Sequence, residues 1–333
     1  MREAIFKTRL TDLLGIRHPI LCGGLGPGVS DGRYVAAVVN AGGMGFIVHV
    51  GYEDPDQFLD EMRICRELTG GRGFGVNLYI SRVPGSVEKI LARIPELVTH
   101  GCTVVETAGQ SPAAILPALR EAGIKVIHKV PGVRYARSVA RTGVDAVIVV
   151  GNECGGHPGI YQIGTMVQAA QAPQEIDLPV IIGGGIGTGS QIAAVLAMGG
   201  EGVILGTRMM VAEEMWPCTA YKQQMVAADG TESVVIKQIL RDNHRVKANQ
   251  STAAVLALEA AGVTDFEAYR PHVTGVLTRE GYKTGNLATG TYDWGHSAVF
   301  ADRIEPVEAI FDRLIDEAAA AAARIGRVVV PQA

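Results

Sequence analysis

The chain has 333 residues, of which 47% are hydrophobic and 19% are charged, a balance that suits a globular protein with a large core. Its formal net charge is -4 and no basic stripe appears, so nucleic acid is not an expected partner. The sequence contains no uncharged apolar run of the roughly 18 residues that a membrane span needs, and MREAIFKTRL lacks a signal-peptide core. The five cysteines are scattered without a CxxC pair, which argues against a metal site or disulfide framework and predicts free thiols in the cytoplasm.

Short apolar runs recur between residues 20 and 210, and each is followed by a turn and a stretch with helical periodicity, such as Pro112–Ala122, Arg134–Thr142 and Ser190–Met198. Continuous runs such as AVIVV and PVII are typical of strands buried on both faces. The alternation predicts a parallel sheet with crossover helices. About eight such units favour an α/β fold closed into a (β/α)₈ TIM barrel over an open doubly wound sheet. The predicted strands are Ile20–Gly24, Met44–Val50, Phe74–Tyr79, Thr103–Ala108, Lys125–Val130, Ala146–Val150, Val180–Gly183 and Gly202–Gly206.

The alternation stops after Met210. Between residues 213 and 290 the segments EEMWPCTAYKQQMVAA, VVIKQILRDNHRVKAN and TAAVLALEAAG are interpreted mostly as helix, and no strand is predicted. Residues 305–325 form a strongly amphipathic helix that is expected to pack back on the barrel, and the tail VVVPQA is expected to be peripheral. We therefore predict a barrel core over 1–210, a mostly helical subdomain or lid inserted after strand 8 over 211–300, and a C-terminal helix over 301–333.

The strongest local signal lies where the predicted seventh strand ends in Gly183, Gly184 and Gly185. The eighth strand ends soon afterwards in Gly206 and Thr207. Loops after strands 7 and 8 of such barrels, together with the N terminus of a short helix, form a common phosphate site, because glycines allow close approach and free N–H groups favour an anion. A tight turn without a ligand is the alternative. No GxGxxG spacing occurs, so a Rossmann dinucleotide site is not supported.

A second signal is GNECGGHPG, residues 151–159, which follows the sixth predicted strand. Loops at the carboxyl ends of barrel strands carry the catalytic residues, and glycines and a proline place His157 on an exposed, shaped loop. Its ordinary pKa suits general acid–base work. The alternative is a histidine that only positions the loop. Cys154 beside it is interpreted mainly as a packing residue, with a nucleophile as the minor alternative.

Polar groups and glycines also end the other strands. Gly23 and Gly24 would let a flat ring lie against the main chain, although a tight turn would need them too. Asn77 ends the third strand with an amide that both donates and accepts hydrogen bonds. Lys129 ends the fifth strand and is the best candidate to meet the negative charge of a ligand. Alternatively, it could pair with Glu106 inside the barrel mouth.

Several other residues carry no pattern that points to a site. Arg241 and Arg245 are interpreted as a solvated or intersubunit face. Trp294 and His296 could lie over the pocket or simply pack. The histidines without a recognisable partner pattern are His49, His100, His244 and His272.

Taken together, these motifs resemble the nitronate monooxygenase family, formerly called 2-nitropropane dioxygenases. The resemblance covers nearly the whole chain. Close relatives of that family include NAD(P)H:quinone reductases and flavin-dependent enoyl-acyl-carrier-protein reductases. All of them are similar in using FMN on a (β/α)₈ barrel. The resemblance rests on the order and spacing of HPILCGG (18–24), AGGMG (41–45), GVNL (75–78), VVETAG (104–109), VIHKV (126–130), ECGGHPG (153–159), PVIIGGGI (179–186) and ILGTRM (204–209).

The resemblance implies FMN as the cofactor and His157 as the residue that acts on a small-molecule substrate. In the monooxygenases the flavin takes electrons from a nitronate and passes them to O2. In the reductases NADH or NADPH supplies hydride, and a quinone or enoyl thioester accepts it. A catalytically idle flavin- or phosphate-binding protein is the alternative from another class, and the helices after residue 210 could form a lid or a homo-oligomer surface. The implied cofactor contacts are Gly23, Gly24, Leu25, Asn77, Lys129, Gly155, Gly183, Gly184, Gly185, Gly206 and Thr207.

Two segments that face the substrate in relatives differ in this chain. Many relatives have GGM followed by a glutamine at the first strand, where this chain has Gly24-Leu25-Gly26-Pro27. The usual serine- and glycine-rich, glutamine-containing segment near the C terminus is replaced by WGHSAVFADR. We expect these two segments to decide which substrate the protein accepts.

Overall fold

The computed structural model describes residues 3–52 and 54–328. Eight parallel strands follow one another in chain order around a closed barrel, and the last strand pairs with the first, Ile20 lying opposite Val203. This confirms the predicted (β/α)₈ barrel, and the predicted strands differ from the observed ones only at their ends. The strands are β1 Ile20–Cys22, β2 Met44–Val48, β3 Phe74–Ile80, β4 Cys102–Gly109, β5 Lys125–Val130, β6 Ala146–Val150, β7 Val180–Gly183 and β8 Gly202–Leu205.

The barrel strands are buried on both faces, which explains their continuous apolar sequences. Residues such as Phe46, Ile148 and Ile204 form one cluster, and alternating neighbours such as Ile47 and Val147 belong to the larger cluster beneath the helices. The helices that precede, join or cover the strands are α1 Arg9–Leu14, α2 Gly26–Val29, α3 Gly32–Ala41, α4 Pro55–Leu68, α5 Ser86–His100, α6 Leu116–Glu121, α7 Val133–Ala140, α8 Thr165–Glu175 and α9 Gly189–Ala197. A short 3₁₀ helix over Pro112–Ala114 precedes α6, so the helix predicted there is divided in two.

After β8 the chain forms a 3₁₀ helix over Thr207–Val211 and then a mostly helical insertion. The helical interpretation of VVIKQILRDNHRVKAN was wrong, because this segment is an antiparallel hairpin in which Ile236 lies opposite His244. Lys237 and Arg241 adopt positive φ angles of 59° and 55°, which no α-helix accommodates. The elements of the insertion are α10 Thr219–Val226, β9 Ser233–Ile236, β10 His244–Lys247, α11 Gln250–Ala260, α12 Phe266–Val273 and α13 Gly275–Thr284.

The insertion contacts the loops at the carboxyl ends of several barrel strands. The Trp216 indole N–H donates to the Gly28 carbonyl at 2.9 Å, beyond β1. Arg279 donates to the Gly51 carbonyl at 3.0 Å, beyond β2. Through these hydrogen bonds the insertion is anchored at the end of the barrel where the predicted site residues lie, as a lid would require; its lid function stays a prediction.

The C-terminal helix α14, Val307–Val328, packs against α9 and α3 on the outside of the barrel. Phe311 is buried against Gly43, where a Cβ atom would lie 2.7 Å from the phenyl ring. The Glu317 carboxylate accepts a hydrogen bond of 2.7 Å from the Gly189 N–H at the start of α9. Most of the predicted peripheral tail, residues 329–333, lies outside the described residues. Within the described chain, no helix has the length and apolar character to cross a bilayer.

Replacing Phe311 with alanine tests how much α14 stabilises the barrel. We expect the free energy of unfolding to fall by about 3–5 kcal/mol, because the substitution leaves a cavity beside Gly43. Urea unfolding of the flavin-loaded protein, followed by circular dichroism, measures this change. The matched control is Ile325→Ala on the same helix, where the side chain is 49% exposed and the loss should be small. Equal effects of the two substitutions would contradict the packing role of α14.

Candidate active site

The glycine-rich loop after β7 has a shape that only glycines allow. Gly184 and Gly185 have φ angles of +99° and +71°, in the left-handed region. A Cβ atom on Gly184 would lie 2.7 Å from the Gly151 carbonyl oxygen, and one on Gly185 would lie 2.7 Å from the Glu153 Cβ. At Gly183 a Cβ would meet the Ile204 side chain of β8. The three glycines therefore bring the β7 loop close to the ends of β6 and β8.

Backbone N–H groups without partners lie at the ends of the two adjacent strands β7 and β8. Among the described residues, the amides of Gly184, Gly185, Gly206 and Thr207 donate no hydrogen bond. A Cβ on Gly206 would meet only Leu25 Cδ2, at 3.6 Å, so that side of the loop is open. Unpaired amides in such a loop attract an anion. The arrangement suits the phosphate group that the sequence pattern predicts here.

The helix N terminus without a cap next to these amides follows β8 rather than β7. In α9, Thr188 and Gln191 form a capping box, and the Gly189 N–H donates to Glu317, so the protein itself satisfies the start of that helix. The 3₁₀ helix over Thr207–Val211 begins without a side-chain cap. The Thr207 hydroxyl oxygen accepts from the Gly295 N–H at 3.0 Å, which leaves the hydroxyl hydrogen available to an anion.

A buried carboxylate brings several of the predicted site residues together. Glu106 Oε2 accepts hydrogen bonds from the Gly24 N–H at 3.1 Å and from the Asn77 amide at 3.0 Å. The Lys129 ammonium lies 2.5 Å from Glu106 Oε1, which confirms the pairing considered from the sequence. The Lys129 side chain is 26% exposed while that of Glu106 is fully buried. Lys129 thus balances an internal charge and still reaches the barrel mouth.

The loop that carries His157 is held between the barrel and the insertion. Gly155 packs against the insertion, where its Cβ would lie 2.8 Å from the Trp294 amide nitrogen. Gly156, with φ +87°, exchanges two backbone hydrogen bonds with Arg245 of β10, at 3.0 and 2.6 Å. Gly159 lies against the carbonyl of Pro131, beyond β5. Packing within the chain therefore explains why Gly155 is a glycine, and its contact with a cofactor stays a prediction.

The His157 ring lies in a cluster of ionisable side chains. It stacks on the His244 ring with 4.3 Å between ring centroids and 12° between planes, and its Nε2 lies 3.8 Å from Asp242 Oδ1. Loss of solvent around the ring, together with the nearby His244 and Lys237, lowers the pKa of His157 below its ordinary value. The side chain nevertheless stays 57% exposed. An accessible imidazole that is neutral at physiological pH can accept a proton from a substrate.

Burial distinguishes His157 from the other candidates in this region. It raises the pKa of Cys154 to about 12, so the thiol is not a ready nucleophile. The pKa of His128 is lowered to about 4, in the same direction as that of His157, but His128 is buried and engaged by the Thr107 hydroxyl at 2.8 Å, whereas His157 is exposed. His157 is therefore the best placed of these groups to exchange a proton with a substrate.

Sequence reasoning missed the groups around His157. His244 showed no partner pattern, yet its Nε2 lies 2.7 Å from Asp293 Oδ1. Arg245 was interpreted as a solvated or intersubunit residue, but it is buried and donates to the Asn152 carbonyl at 3.1 Å. The charged segment LRDNHRVK was the only local feature of the sequence that indicated polar residues here. It could not reveal these contacts, because they form between segments distant in sequence.

Comparisons with known proteins indicate what this chain is similar to. The family model described as nitronate monooxygenase matches residues 7–85 and 85–317. An octahydroindene carboxyl-CoA dehydrogenase from Rhodococcus jostii is 30% identical over 258 residues, which cover 77% of this chain and 69% of the relative. Among solved structures, FabK from Thermotoga maritima aligns with a TM-score of 0.87 and 31% identity over 97% of this chain and 100% of its own. Nitroalkane oxidase from Streptomyces ansochromogenes aligns with a TM-score of 0.79 and 27% identity, over 95% and 99% of the two chains.

Replacing Lys129 with methionine tests the charge balance at the barrel mouth. We expect a loss of about 3–5 kcal/mol in the free energy of unfolding, because Glu106 would stay buried without its cation. Lys125→Met on the same strand is the matched control, since Lys125 is 48% exposed and its ion pair with Asp145 should contribute little. Adding Glu106→Gln to Lys129→Met should restore part of the loss. Urea unfolding with no difference between the two lysine variants would contradict this role for Lys129.

Proposed function

Since the chain belongs to the nitronate monooxygenase family and is a flavin-dependent oxidoreductase, we propose that its flavin is FMN and that it oxidises nitroalkanes and their nitronates with O2. The observation that carries this proposal is the accessible His157 ring, whose lowered pKa keeps it neutral at the carboxyl end of the barrel. One of the aligned structures, with 27% identity over nearly the whole chain, is a nitroalkane oxidase.

The chain offers suitable groups for both ends of FMN. The unpartnered amides of Gly184, Gly185, Gly206 and Thr207 would hold the phosphate. The loop from Gly23 to Leu25, Asn77 and Lys129 would face the ring, and the Lys129 ammonium would stabilise negative charge there. FMN supplies the two-electron redox chemistry when it is bound, and the protein binds, orients and shields it. One proposed phosphate site, formed by the loops after β7 and β8, and the lack of a GxGxxG segment favour FMN over a dinucleotide.

His157 acts on the substrate in this proposal. A neutral nitroalkane must lose a proton from the carbon next to the nitro group before that carbon becomes electron-rich. The neutral imidazole accepts this proton, and the C–H electron pair stays on the substrate as the nitronate. A nitronate supplied from solution has already lost the proton and does not need the base. Nitroalkanes and nitronates should therefore depend on His157 to different degrees.

A second candidate function is the oxidation or reduction of an acyl thioester on the same FMN barrel. The relative at 30% identity is named as a carboxyl-CoA dehydrogenase, which favours this class. The carbon beside a thioester carbonyl is also acidic, and His157 could take a proton from it or return one to it. In the reducing direction NADH or NADPH would supply the electrons, and a quinone or an enoyl thioester would accept them.

The first test identifies the cofactor and the electron donor. We expect the purified protein to be yellow and to release FMN, not FAD, when it is denatured. Under anaerobic conditions, nitroethane or propionate-3-nitronate should bleach the flavin absorbance faster than NADH, NADPH or an acyl-CoA. Fast bleaching by a nicotinamide or an acyl-CoA alone would favour the second candidate. A protein that remains colourless after incubation with FMN would contradict both, and bound flavin that no donor reduces would indicate an idle carrier.

His157→Asn tests the base. We expect anaerobic flavin reduction by neutral nitroethane to slow by about 100-fold or more, while reduction by preformed ethyl nitronate changes little. In the unchanged protein the nitroethane rate should stay level near neutral pH and fall only below the ordinary histidine pKa of 6.5, because protonation removes the base and the pKa of His157 is lowered. Stopped-flow mixing with fresh nitroethane measures both effects. His272→Asn is the control, and equal slowing of nitroethane and nitronate would refute the assignment.

A further inference from the structure

The stacking of His157 on His244 follows from backbone pairing. Gly156 and Arg245 form an antiparallel bridge. His157 follows Gly156 in the sequence, and His244 precedes Arg245. In an antiparallel pair, the residue after a bridged position on one strand lies opposite the residue before the bridged position on the other strand. The side chains of these two residues lie on the same face. The rings consequently meet with 4.3 Å between centroids. The His157 side chain is 57% exposed while that of His244 is 11% exposed, so His244 supports His157 from the protein side.

His244 is in turn held by a carboxylate. Its Nε2 lies 2.7 Å from Asp293 Oδ1, on the segment after α13. Burial alone would raise the pKa of Asp293, but the hydrogen bond and the charge interaction with His244 outweigh it and keep this pKa below its ordinary value. An ionised carboxylate at Nε2 accepts the hydrogen on that nitrogen, and it thereby fixes the tautomer and the orientation of the His244 ring.

The remaining charged groups near His157 already form a pair. Lys237 Nζ lies 2.5 Å from Asp242 Oδ2, and both residues belong to the connection between β9 and β10. Asp242 Oδ1 is 3.8 Å from His157 Nε2, beyond hydrogen-bonding distance. Lys237 therefore partners Asp242, and His244 partners Asp293. A second proton on the stacked rings would place two cations face to face, close to the Lys237 ammonium.

We propose that His244 and Asp293 are positioning residues that keep His157 neutral and hold its ring in a fixed orientation for proton transfer. Asp293 holds the His244 ring through the hydrogen bond at Nε2, and because the two rings are stacked, a proton on one ring disfavours a proton on the other. The inference rests on the proposed role of His157 as the base. It adds a part of the insertion to the machinery that prepares this base, although neither residue needs to touch the substrate.

The test is a titration of the flavin-loaded protein containing ¹³C-labelled histidine, followed by NMR. His157→Asn identifies the His157 signal. His244→Phe keeps a flat ring in the stack but cannot carry a charge, and it should raise the His157 titration midpoint by about one pH unit or more, a tenfold change in proton affinity. The acid limb of nitroethane-dependent flavin reduction should move by the same amount, with little change in KM.

The matched control is His272→Phe, which makes the same change on α12 and should leave the His157 midpoint in place. If His244→Phe does not retain flavin, His244→Gln provides a neutral side chain that can still donate to Asp293, and the same upward shift is expected. An unchanged His157 midpoint in a folded, flavin-loaded His244 variant would overturn the proposal. The titration does not depend on turnover, so a failure of His157→Asn to alter activity would refute the proposed function separately from the coupling of the two rings.

Discussion

The buried carboxylate of Glu106 connects the carboxyl ends of four strands at the mouth of the barrel. Glu106 belongs to β4. Its carboxylate accepts hydrogen bonds from the Gly24 N–H beyond β1 and from the Asn77 amide of β3, and it lies beside the Lys129 ammonium of β5. A charge buried to this degree is tolerated only when every partner is present. The polar residues at the mouth are therefore held at fixed separations before any ligand arrives, which is how a preorganised site is built.

The glycines on the opposite side of the barrel mouth complement this cluster. Gly184 and Gly185 need positive φ angles, and their neighbours leave no room for side chains. Gly206 is different, because a Cβ there would meet only Leu25, at an ordinary contact distance. Internal packing thus explains why the β7 loop is rich in glycine but does not explain Gly206. The open space at Gly206 and the unpaired amides of Gly206 and Thr207 suit the phosphate group that we propose there.

The sequence was sufficient to predict the barrel because its strands are buried on both faces and separated by helices of ordinary length. The hairpin was missed for a physical reason. Its turn uses positive φ angles at Lys237 and Arg241, with no glycine to indicate them. The turn is held by Glu259 of α11, whose carboxylate accepts from the N–H groups of Lys237 and Ile239 at 3.0 Å each. Such contacts between distant segments leave no local periodicity.

The candidate site likewise contains residues that local sequence could indicate and residues that only contacts between distant segments bring together. The second group shows what the insertion contributes. Residues at strand ends, such as Lys129 and His157, could be found from the sequence because barrel topology brings strand ends together. His244 and Asp293 could not, since their position depends on the bridge between Gly156 and Arg245 and on a second bridge between Val246 and Asp293. β10 therefore lies between the His157 loop and the segment that carries Asp293. The proton affinity of a barrel residue thus depends on how the insertion folds, so changes in the insertion can alter the chemistry while the flavin-binding barrel stays the same.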